Sequence, residues 1–173
     1  EFLRQLKANV DTLTLTATVG FTNVTEKDVF GLIYADHIRT LNLSADYRLK
    51  DNFGGSNFLT VSYRQGLDIL GASHRDDDFL SRADASGKFS AVNFWFTRYQ
   101  TLSDAWSVKF SSAGQWANGA LFLSQQFYLG GLAFGRGYGS AEVSGDHGIA
   151  GSAELRFDQK LSWKYLTGYQ LYS

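Results

Sequence analysis

Cysteine, proline and methionine are all missing from the 173 residues of this chain. Without cysteine there are no disulfides, no thiolate metal sites and no cysteine nucleophiles; the lack of an initiator methionine is expected of a processed or excised piece. Charge of one sign is wanting too, because 16 Lys and Arg stand against 17 Asp and Glu, a formal charge of −1. No basic excess points to a nucleic acid, and none is expected as a partner. No apolar run approaches the roughly 20 residues a membrane helix needs. A helical membrane protein is thereby excluded, but a membrane β-barrel is not. Charged residues are only 19%, against a usual figure of about 25%. What the chain does have is 18 Gly and 16% aromatics, as 4 Trp, 9 Tyr and 14 Phe. That composition leans all-β.

Residues 10–21 carry the first strong pattern. Leu13, Leu15, Ala17, Val19 and Phe21 alternate with Thr12, Thr14, Thr16 and Thr18, the period-2 signature of a strand with one oily and one wet face. Residues 34–49 alternate likewise, with Leu41, Leu43, Ala45, Tyr47 and Leu49 opposite Thr40, Asn42, Ser44, Asp46 and Arg48. Turn residues at 50–56 predict a hairpin to a return strand over 57–70. The stretch 71–87, with Asp76-Asp77-Asp78, has no periodicity and reads as a long loop. Further strands are expected over 88–102, with Val92, Phe94 and Phe96 outward, then over 106–117 and 149–161, and a last one opens at 165–173.

Six strands and a partial seventh thus follow one another with no helix between them, an up-and-down antiparallel meander. The connections after Phe21, Leu70 and Ala117 are expected to be long, and those after Leu49, Leu102 and Leu161 short. Long loops at one rim and short turns at the other are the habit of transmembrane β-barrels. Strand lengths of about 10 to 14 residues suffice for a tilted crossing, which needs about 9 to 11. Aromatics near strand ends, at Phe21, Tyr47, Tyr99 and Trp106, have the placing of interfacial girdles. A soluble lipocalin-like binding module is the alternative of another class, since it alternates too, with its apolar face inward.

The most specific segment lies between Trp116 and Ile149. It contains Gly130-Gly131, then Arg136-Gly137-Tyr138, then Ser144-Gly145-Asp146 with Gly148, and a following strand with Glu154-Leu155-Arg156. In this order and spacing the chain resembles the haemolysin secretion/activator family, the outer-membrane pores of two-partner secretion and relatives of the barrel-assembly proteins. Gln115, Leu121 and Phe127 also sit where members tend to have such residues. The resemblance implies a single domain over 1–173, a piece of a transmembrane barrel of about sixteen strands in the bacterial outer membrane. It implies a long extracellular loop at about 118–148 that folds back into the lumen, with Arg136 at its tip. Its partners would be a secreted exoprotein and outer-membrane lipid, with no cofactor. A barrel-assembly insertase of the same superfamily is the alternative; its loop is usually followed by a Gly-Gly-Asn type of strand.

Elementary chemistry fits this. A guanidinium cannot shed its charge and grips a carboxylate with two parallel hydrogen bonds, so one Arg can latch a loop tip to a wall. Flanking Gly residues let the backbone turn with positive φ. Glu154 and Arg156, two apart on a strand, share a face; with Leu155 and Phe157 toward lipid, both charges belong to the lumen. No other constellation carries chemistry. The Gly135 to Gly139 run lacks the Lys-Ser/Thr of a phosphate loop. His37, His74 and His147 are too scattered for zinc spacing, the Asp run lacks the calcium-loop pattern, and no nucleophile elbow supports an enzyme.

Overall fold

A computed structural model describes residues 2–8, 11–131, 134, 139, 141–160 and 168–172. The strands are β1 (Phe2–Ala8), β2 (Asp11–Asp28), β3 (Gly31–Lys50), β4 (Gly55–Gly66), β5 (Ser90–Thr101), β6 (Trp106–Ala117), β7 (Phe127–Leu129), β8 (Val143–Gly145), β9 (Gly148–Lys160) and β10 (Gly168–Tyr172). Eight of them form one sheet in the order β1-β2-β3-β4-β5-β6-β9-β10, every pair antiparallel. The short β7 and β8 pair only with each other, inside the connection from β6 to β9.

Register carries the two-faced pattern across the whole sheet, because residues directly opposite one another share a face. Leu15, Ala45, Val61, Phe94, Gly114 and Ile149 stand in one row. One residue along, Thr14, Asp46, Thr60, Trp95, Ala113 and Ala150 form the row on the opposite face. The expected outward set Val92, Phe94 and Phe96 lies on the apolar face with Tyr63, Val61 and Leu59. On that face Leu15, Leu43, Val61, Phe110 and Leu155 stay 39–45% exposed. Among the described residues no second protein layer covers them.

The buried cluster lies elsewhere, at the long-loop rim. Ile38, Ala91 and Ala117 of the sheet meet Ala85, Phe89, Leu121 and Phe122 of the loops, with Leu80 packed against them. Ile38, Ala91 and Ala117 fall in the polar-face register, so the two long connections fold over the polar side. A lipocalin-like module would cover the apolar face instead, and that alternative fails here.

Four sequence expectations are corrected. The connection after Phe21 is no long loop: β2 and β3 continue as a ribbon to a two-residue turn at Val29 and Phe30, where Asp28 Oδ1 accepts the N–H groups of Phe30 (2.8 Å) and Gly31 (3.0 Å). Both faces of this ribbon are largely exposed, so the alternation that marks a half-buried strand disappears while the backbone still pairs. The sheet also gains β1, which residues 2–8 were not expected to form. The strand expected over 57–70 stops at Gly66, where a Cβ would lie 2.2 Å from the Gly87 carbonyl and the loop crosses back. Tyr99 is not a girdle residue, because its register places it opposite Ser56 and Lys109 on the polar face.

Candidate functional site

The candidate site is the connection from β6 to β9 together with the polar wall beneath it. A single 3-10 turn, Leu123–Gln125, carries the chain off the rim. β7 and β8 then form a short stalk, with Phe127 opposite Gly145, Tyr128 opposite Ser144 and Leu129 opposite Val143. The stalk rests on the polar face. Phe134 packs against Trp95 with ring centroids 5.0 Å apart, Arg64 donates to Gln125 Oε1 at 2.8 Å, and Gln115 donates to the carbonyls of Gln125 (3.1 Å) and Asp146 (3.3 Å).

Three glycines of this connection occupy places that a side chain would disturb. Gly130 and Gly131 have φ of +123° and +78°, and a Cβ at Gly130 would sit 2.2 Å from the Gly139 carbonyl oxygen. Any side chain there would push the two arms of the loop apart. A Cβ at Gly148 would meet the Phe127 ring at 2.3 Å, so this glycine makes room for the stalk's first aromatic. The turn expected over Ser144, Gly145, Asp146 and Gly148 is shorter than the motif suggested. Ser144 and Gly145 belong to β8, Gly148 opens β9, and only Asp146 and His147 bend.

Asp146 is the hub. Its Oδ1 accepts from Arg82 Nη1 at 2.6 Å, from the Leu121 N–H at 3.1 Å and from Gln126 Nε2 at 3.2 Å. Burial pushes its carboxyl up, but these donors outweigh burial and hold it below the usual carboxylate range. The hydrogen bond to Asp146 likewise raises Arg82 above its ordinary value, against the opposing effect of burial. Arg82 comes from the aperiodic loop 67–89, and sequence reasoning did not find it. An Arg in a stretch of mixed charges carries no local signal that it is half-buried against a carboxylate 64 positions away.

On the wall, Arg156 Nε donates to Glu154 Oε1 at 2.6 Å, and Glu154 is 8% exposed. Lys109 stands directly across from Glu154. Lys109 and Arg156 both lie over the Tyr99 ring, at 5.9 and 5.7 Å from its centroid. This cluster of charges around an aromatic is on the face the sequence assigned to Glu154 and Arg156. Arg136, Gly137 and Tyr138 fall outside the described residues. Away from this site, His74 Nε2 meets Asp68 Oδ1 at 2.6 Å and the His74 backbone N–H donates to Asp77 Oδ2, pairings internal to the loop. No group of three or more His, Cys, Asp or Glu able to hold a metal forms among the described residues.

Comparison with known proteins bears on the whole chain. The structure of CdiB from Escherichia coli superposes with a TM-score of 0.81 at 19% identity, covering 98% of this chain and 32% of that one. The fold is thus that of about a third of the CdiB chain. Curated proteins offer no sequence match. The family model of haemolysin secretion/activation protein ShlB/FhaC/HecB matches residues 32–173, which sets aside the barrel-assembly reading. This antiparallel meander with its motif-bearing loop therefore belongs to the haemolysin secretion/activation protein family, the outer-membrane β-barrel transporters of two-partner secretion.

Proposed function

We propose that the chain supplies part of the wall and the plug loop of a pore that carries a large haemolysin- or adhesin-like exoprotein from the periplasm to the cell surface. The observation that carries this reading is the position of the β6–β9 connection. A segment long enough to reach far beyond the rim instead lies on the polar face, held by Arg64 and Gln115. With the apolar face toward lipid, the polar face lines the lumen, the loop at about 118–148 is inserted into it, and the short turns face the periplasm. Transport needs no covalent chemistry and no cofactor. It needs a wet, charged wall, a plug whose position can change, and a partner that folds outside, since the outer membrane offers no nucleotide energy.

Within this reading Arg136 latches the loop tip to a lumen-facing carboxylate through a two-pronged hydrogen bond. Glu154 and Arg156 supply the charged wall on the adjoining strand. The test uses the full-length protein with its exoprotein co-expressed. Arg136→Ala should leave the heat-modifiable mobility of the barrel unchanged and lower surface release of the exoprotein at least tenfold. Arg136→Lys should recover little, because an ammonium keeps the charge but not the fork. Unchanged release at matched barrel levels would leave the loop a passive cover.

A further inference from the structure

The two long connections are bolted to one another at their bases. Arg82 Nη1 lies 2.6 Å from Asp146 Oδ1 and 3.1 Å from the Leu121 carbonyl, so one guanidinium holds both the outgoing and the returning arm of the plug loop. Ser81 Oγ accepts the Leu123 N–H at 3.2 Å, a second tie one residue away. Beneath the polar contacts Leu121 and Phe122 are fully buried in the cluster that includes Phe89 and Leu80. Drawing the loop's base off the wall would therefore expose two large apolar side chains. It would also uncover a charge pair whose partners are only 24% and 20% accessible. Breaking one member of such a pair leaves the other charge poorly solvated. Farther along the loop, the described contacts with the wall include the packing of Phe134 on Trp95 and of the Phe127 ring over Gly148. The described polar ties between the two loops thus gather at the base.

We infer that Arg82 is a positioning residue for the plug loop, acting through Asp146 to clamp its base, and that this clamp stays closed while the pore works. The inference rests on the transport reading above and narrows it: the loop does not leave the lumen as a unit. Rearrangement during passage is confined to the part of the loop beyond the clamp. Arg82 belongs to a different connection, so the loop 67–89 is a fixed support of the pore.

Two measurements on the full-length protein test this. In planar bilayers bathed in potassium chloride, Arg82→Ala should raise the resting conductance at least threefold, because the plug's base is no longer held. Arg82→Lys should fall between parent and Arg82→Ala, since a single flexible ammonium replaces a planar guanidinium that also binds Asp84 Oδ2 through Nη2 at 3.1 Å. Heat-modifiable mobility reports whether each variant has a folded barrel. A folded Arg82→Ala barrel with parental conductance overturns the positioning role. If Arg82→Ala yields no barrel, a folded Arg82→Lys barrel decides in the same way, parental conductance again overturning it. The second measurement pairs Ser81→Cys with Leu123→Cys, whose side chain and backbone already touch. Oxidised protein should release the co-expressed exoprotein within twofold of reduced protein. A tenfold arrest on oxidation that reductant reverses would mean that the clamp must open. A parent protein that conducts ions yet releases no exoprotein would defeat the transport reading, and the conductance comparison would still judge the role of Arg82.

Discussion

The two rims of the sheet close their connections by different means. At the short-turn rim the turn itself is closed locally, Asp51 accepting the N–H groups of Phe53 (3.0 Å) and Gly55 (2.8 Å), with one longer-range bond from Arg98 (2.7 Å) of the neighbouring hairpin. Phe53 at the turn remains 83% exposed. At the long-loop rim the connections have a hydrophobic core of their own, with Phe122 fully buried and Phe89 2% exposed. One rim is held by hydrogen bonds that a few adjacent residues can satisfy. The other depends on side chains brought together from distant parts of the chain. Short turns can therefore be replaced piecemeal, whereas the long loops stand or fall together.

The sharpest way to break this contrast is a pair of truncations. Phe122→Ala should cost about 3 to 5 kcal/mol of loop docking, the range for emptying a buried aromatic site, while Phe53→Ala should be nearly neutral. Limited proteolysis of the full-length protein in detergent would read the loss as rapid cleavage within residues 67–89 and 118–148. Equal resistance in the two variants would dissolve the distinction between the rims.

A second pair tests the faces between the rims. Leu15→Arg should cost about 2 to 4 kcal/mol if that side chain meets lipid at mid-depth, and Thr16→Arg on the lumen side should change little. Heat-modified gel mobility after titration with urea provides the scale. Equal tolerance at both positions would contradict the assignment of faces.

The smallest effect is in acid. The Gly55 N–H, then Arg98, pull the Asp51 carboxyl from 3.8 down to about 2. A carboxylate lowered on folding stabilises the folded state above its unfolded value and loses that contribution as pH falls through its folded value. Asp51 should therefore stabilise its turn above about pH 4 and lose this between about pH 4 and pH 2. Asp146, also lowered, adds a loss of the same sign at the other rim. Thermal midpoints followed from pH 5 to pH 2 should fall, and Asp51→Asn should flatten part of the slope. An unchanged slope would show that the turn does not depend on the ionised form.

Much of the fold was legible because a strand with one apolar and one polar face must alternate. Leu13 to Phe21 against Thr12 to Thr18 displays that constraint residue by residue, and so does Ala153, Leu155 and Phe157 against Ser152, Glu154 and Arg156. The reading failed where the constraint lapses. Residues 22–28 and 31–33 lie in paired strands with both faces largely exposed, so nothing selects an alternating sequence there. Tyr99 was misplaced because a girdle position and a lumen position can both favour an aromatic near a strand end; only register against Ser56 and Lys109 decides between them.

At the site, Gly130, Gly131, Asp146 and Gly148 stood out in sequence through the resemblance to the haemolysin secretion/activator family. Arg82, Arg64 and Gln125 did not, since any long polar side chain in a loop or on a wet face looks alike until its partner is known. Alternation, turn chemistry and the glycines of the loop are local properties, set by sterics and solvent within a few residues, and they were determined by the amino-acid order alone. Only the tertiary structure decided that the loops cover the polar face, that Arg82 meets Asp146 and that Phe122 is buried. Those contacts join residues tens of positions apart, and their free energy exists only once the sheet has brought the rims of separate hairpins side by side.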